Sequence, residues 1–123
     1  MDMREHPIAN VVRRISETDG TFDLWGDPAR MPGGFMVHGI AAPLVNPDEV
    51  TLVQWVFAIR RKFHPSDAIY LTRWTDPEGN VRYDLSELLY VRSEAVELAQ
   101  ERGEITIWSW DDAGTVYIGR NQA

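Results

Sequence analysis

Residues 68–75 and 81–89 are two alternating β-type runs on either side of Asp76-Pro77-Glu78-Gly79-Asn80, and this pairing restricts the fold more than anything else in the chain. Proline at the second turn position, with glycine after Glu78, suits a type I turn closed by a residue of positive φ, which assigns that backbone to Gly79. Pairing Asp76 with Asn80 then sets Leu71 opposite Leu85, Thr72 opposite Asp84, Arg73 opposite Tyr83 and Trp74 opposite Arg82. One face becomes apolar, with Ile69, Leu71, Val81, Tyr83 and Leu85. The other holds Tyr70, Thr72, Trp74, Arg82, Asp84 and Ser86. Arg82 over Trp74 is a cation–π contact worth about 0.5–1 kcal/mol at an exposed site. Cross-strand pairing alone accounts for most of the polar crowding in this segment.

The remaining segments follow from period and punctuation. Ile8, Val11, Val12 and Ile15 form a helical stripe over 7–16, with Pro7 suited to the first turn and Asp19-Gly20 as the stop. Residues 20–25 and 35–41 alternate as strands around the proline- and glycine-rich loop 26–34. Asn46-Pro47-Asp48-Glu49 offers Asn46 as an N-cap and Glu49 as the partner of a capping box. The helix that follows, ended by His64-Pro65, presents Leu52, Val53, Val56, Phe57, Ile59 and Phe63 on one face, with Trp55 at its border and Arg60 snorkelling at the core edge. Ser93 can cap a short helix to Arg102, with Ala95, Leu98 and Ala99 inward and Gly103 as its stop. Residues 105–110 and 115–119 form a last hairpin across 111–114. The order αββ-αββ-αββ predicts an α+β fold, a largely antiparallel sheet with helices packed on one face.

At 123 residues the chain is expected to be one domain, 1–123, burying roughly two-thirds of the surface its unfolded form exposes. With no cysteine, stability must come from the core. A net charge of −7 argues against general affinity for nucleic acid. No apolar run reaches the roughly 18–20 residues of a membrane span, and the start MDMREHP lacks a signal-peptide pattern, so a cytoplasmic protein is the simplest expectation. His6, His38 and His64 share no ligand spacing, and Asp111-Asp112-Ala113-Gly114 lacks the alternating oxygens of a calcium loop, so no metal or other cofactor is expected. No nucleophile elbow or phosphate loop is present, and no catalytic residue is assigned.

The segment WTDPEGNVRYDLS (74–86), the helix SEAVELAQERG (93–103), EITIW (104–108) and upstream GGFMVHG (33–39) together resemble the C-terminal half of small accessory proteins of actinobacterial tailed phages and prophages. Relative to that group the turn is one residue shorter, Gly103-Glu104 stands where Asn-Gln is usual, and Ser109 where an Asp is common. The resemblance implies a small soluble protein of a phage or other mobile element. It implies no activity.

Aromatic residues exceed what a small core needs. Trp108 and Trp110 alternate against Ile105 and Ile107, so their strand is apolar on both faces and is either covered twice or leaves tryptophan at a surface. Trp74, Tyr70, Arg82, Trp108 and Trp110, rimmed by Asp84, Asp111 and Asp112, are therefore the candidate contact surface for a host or phage protein, or for a second copy of the chain. The expected function is a non-enzymatic protein-binding module of a phage or mobile element, an accessory factor with inhibition of its partner as one option. The alternative is a small-molecule or nucleotide binder with a pocket between the sheet and loop 26–34, lined by Trp25, His38 or Arg60. An acidic mimic of nucleic acid is the weaker third.

Overall fold

A computed structural model describes residues 7–119. Helices α1 (Pro7–Ile15), α2 (Glu49–Lys62) and α3 (Arg92–Glu101) accompany strands β1 (Gly20–Phe22), β2 (Phe35–Val37), β3 (Leu44–Val45), β4 (Ile69–Thr75), β5 (Val81–Leu89), β6 (Thr106–Ser109) and β7 (Gly114–Tyr117). The strands form one seven-stranded antiparallel sheet in the order β1-β4-β5-β2-β6-β7. The short β3 pairs with the start of β5, at Arg82 and Tyr83, while β2 pairs with its end, at 87–89. The sequence pattern does not indicate β3. The two strands expected at 20–25 and 35–41 end early, at Phe22 and Val37.

The β4–β5 register is the one the turn chemistry dictates, from Leu71 opposite Leu85 to Trp74 opposite Arg82. Asp76 N–H donates to the Asn80 carbonyl at 2.9 Å, and Gly79 takes φ 86°. The Asp76 carboxylate sits under this turn and accepts from Glu78 N–H at 3.0 Å, Asn80 N–H at 2.8 Å and Arg82 Nε at 2.9 Å. Burial pushes its pKa up, but the hydrogen bonds from Arg82 and Asn80 and the Arg82 charge outweigh that and hold it below the ordinary value.

All three helices lie on one face. Ile8, Val11, Val12 and Ile15 of α1 and Leu52, Val56 and Ile59 of α2 pack on Phe22, Ile69, Leu71, Tyr83 and Leu85. Ala95 and Ala99 of α3 pack on Val37 and Ile107, their small side chains letting the helix approach β2 and β6. The buried stripe of α2 is narrower than its hydrophobic pattern: Phe57 is 48% exposed, because 52, 56 and 59 lie on one line and 57 is turned from it. Trp55 meets Tyr83 edge-on, with centroids 6.3 Å apart.

Two helix starts differ from the sequence reading. Asn46 is not the cap of α2. It takes a left-handed φ of 46°, donates to Asn80 Oδ1 at 2.8 Å and accepts from Val81 N–H at 2.8 Å, tying β3 to the turn end of the hairpin. Asp48 caps instead, accepting Thr51 N–H at 2.7 Å, and this bond holds its carboxyl below the usual range. Helix α3 starts after Val91 with no side-chain cap, so Ser93 lies inside it.

Candidate functional site

With α1, α2 and α3 on one face, the other face of the sheet is left to side chains that alternate outward. Register places Thr21 beside Thr72, Thr72 beside Asp84, and Met36 beside Trp108, which in turn lies beside Thr115. These residues line a cleft of about 620 Å³ that runs from β1 to β7 and also takes in Trp74, His38, Glu104, Thr106 and Trp110. Gly39, Ala41 and Pro43, from the connection between β2 and β3, complete its wall. Three tryptophans and four threonines, Thr21, Thr72, Thr106 and Thr115, are thus among its lining.

Trp74, 39% exposed, is fixed from two sides. Its indole N–H donates to Asp84 Oδ2 at 3.2 Å, and the Arg82 guanidinium lies 5.5 Å from its ring centroid. Arg82 is itself anchored by Asp76. Trp108 and Trp110 are half-buried and meet edge to face, with centroids 6.2 Å apart. The Trp110 indole nitrogen is buried and has no hydrogen-bond partner among the described residues.

Ser86 Oγ lies 2.6 Å from His38 Nδ1 under the floor of this face. A serine hydroxyl against an imidazole can be an activated nucleophile. Here Ser86 is fully buried, and among the described residues no carboxylate hydrogen-bonds His38. The pair satisfies two polar groups and orients the imidazole of His38, a residue of the cleft lining. Nothing in its geometry gives a substrate access to the hydroxyl. Among the described residues no group of His, Asp and Glu is placed to hold a metal, and His6 lies outside them.

Of the residues singled out from sequence, Trp74, Asp84, Trp108 and Trp110 come together in the cleft, and Arg82 stands behind Trp74. Tyr70 points the same way but lines a neighbouring pocket under 23–31, where burial first, then Tyr90 and Asp23, push its hydroxyl pKa up. Asp111 and Asp112 do not rim the cleft: Asp111 accepts Gly34 N–H at 3.2 Å, and Asp112 pairs with the Ser109 hydroxyl at 3.2 Å. The pocket expected from Trp25, His38 and Arg60 does not form as one site. Arg60 of α2 lies 5.8 Å from the Trp25 ring centroid, while His38 belongs to the helix-free face. Sequence reasoning missed Thr106 and Glu104. Alternation with Trp108 carries the signal for Thr106, whereas nothing local marks Glu104.

Comparison of the chain with protein-family models, with curated proteins and with solved structures gave no match. Among the described residues no helix is long and apolar enough to cross a membrane.

Proposed function

We propose that the chain is a non-enzymatic binding module that captures a host or phage protein on the helix-free face of its sheet, as an accessory factor or inhibitor of a mobile element. One observation carries the reading. Trp74, Trp108 and Trp110 are gathered in a single cleft where a core would normally be capped by helices. Tryptophan contributes disproportionately to binding energy at interface centres. The phage or mobile-element origin rests on the resemblance of residues 33–39 and 74–108.

A second reading has its own support: about 620 Å³ lies within the roughly 300–1,000 Å³ typical of small-molecule sites. A nucleotide fits that reading poorly, because among the described residues no lysine or arginine lines the cleft to meet phosphate. The acidic-mimic reading gains little, since Asp19, Asp27, Asp76 and Glu87 are engaged in ion pairs with arginines.

The test is capture from an actinobacterial host lysate on immobilised protein, run in parallel with Trp74→Ala and with Phe57→Ala, an exposed aromatic outside the cleft. The reading requires a partner retained by wild type and Phe57→Ala but lost from Trp74→Ala. Equal retention by all three would place the contact elsewhere. A metabolite that raises the melting temperature, with no protein captured, would favour the small-molecule reading.

A further inference from the structure

We propose that the cleft receives an arginine or lysine side chain from a basic segment of the partner protein; this rests on the reading of the helix-free face as the binding face. Among the described residues the charged side chains lining the cleft are Asp84 and Glu104, and no arginine or lysine joins them. Among the described residues neither carboxylate has a cationic partner: the four ion pairs use Asp19, Asp27, Asp76 and Glu87, and Asp84 accepts only from the Trp74 indole N–H. Two half-buried carboxylates share the lining with three tryptophans and make the cleft electronegative, and any ring face that a tryptophan presents adds to this, the face being the negative pole of the ring. Cations are attracted to such a lining, to tryptophan most strongly of the aromatics, and phosphates and carboxylates are repelled.

The molecule already contains one instance of this chemistry. Arg82 lies over Trp74 and is held by the Asp76 carboxylate at 2.9 Å. A guanidinium entering from the cleft would meet the same combination of tryptophan and carboxylate, now with Asp84 or Glu104. The occupant is a segment rather than a free cation because the lining extends over β1, β2, β4, β5, β6 and β7. Thr21, Thr72, Thr106 and Thr115 place hydroxyls along that length, suited to the amides of an extended chain. The net charge of −7 steers a basic partner towards the protein.

The experiment is calorimetric titration with a capped arginine–alanine peptide, the same peptide with citrulline (the uncharged isostere) replacing arginine, and tetramethylammonium. The arginine peptide should bind, and the citrulline peptide should bind about tenfold more weakly or less. Asp84→Asn with Glu104→Gln should weaken the arginine peptide by about tenfold. Glu94→Gln with Glu97→Gln, an equal charge change at exposed positions of α3, should leave it within about twofold. Citrulline and arginine peptides binding equally would overturn the charge preference while leaving a protein-contact face. Equal weakening by the two double variants would reduce it to the overall charge of the protein. Tetramethylammonium binding as tightly as the arginine peptide would overturn the assignment to a protein segment. Failure of the face itself is read separately, from a partner still retained by Trp74→Ala.

Discussion

The indole nitrogen of Trp74 and the carboxylate of Asp84 are joined at 3.2 Å diagonally across β4 and β5, so the most exposed tryptophan of the cleft is held in one orientation by a neighbour on the same face. A tryptophan fixed before binding loses little conformational freedom when a partner arrives. Trp74→Ala should therefore weaken association by about 2 kcal/mol or more, while changing folding stability by about 1 kcal/mol. Leu71→Ala, three residues before Trp74 on β4, on the covered face and 1% exposed, should cost about 2–5 kcal/mol in the same denaturation experiment. Similar losses for both variants would make Trp74 a core residue.

Gly79 tests the turn. Its φ is 86° and no atom lies within 4 Å of where a Cβ would stand, so Gly79→Ala meets no clash and its cost is backbone strain alone. The expected loss is about 1 kcal/mol, seen as a lower urea midpoint with unchanged slope. An unchanged midpoint would reject the assignment.

How far the fold could be read in advance follows from where each decision is made. The β4–β5 register is decided within its own turn, by Pro77, Gly79 and the Asp76–Asn80 pair, and so it was legible. Asn46-Pro47-Asp48 contains two residues able to cap α2, and the choice falls to Asp48 because Asn80, far along the chain, engages Asn46. No local pattern carries that information. Alternation puts Trp108 and Trp110 on one side of their strand, but that they share a cleft with Trp74 depends on β2 lying between β5 and β6. Glu104 enters from the turn after α3, where only the completed sheet gives it a role.

Asp76 makes stability acid-sensitive in a defined direction. Its folded pKa lies below the ordinary value of about 3.9, so it contributes above that pH and the contribution is lost as pH falls through the folded value. Asp76→Asn should unfold at lower urea than wild type near about pH 7, with the difference shrinking below about pH 4. A gap that stays constant across this range would mean the carboxylate's charge is irrelevant to the turn.

Trp110 carries a buried N–H with no acceptor among the described residues, a group that costs about 1–3 kcal/mol when left unpaired. Trp110→Phe removes it and keeps most of the ring contact with Trp108. Stability should stay within about 1 kcal/mol of wild type, the lost ring area offset by the removed penalty. A loss above about 2 kcal/mol would show that the nitrogen is satisfied in solution.

The most direct measurement is an NMR titration that follows the indole N–H signals of all five tryptophans as the captured partner is added. Trp74, Trp108 and Trp110 line the cleft, while Trp55 sits on α2 and Trp25 beside Arg60, so the protein carries its own controls. The expected result is that the three cleft signals shift or broaden together while those of Trp25 and Trp55 stay in place. Shifts at Trp25 and Trp55 with the cleft signals unmoved would contradict the assignment of the helix-free face as the binding site.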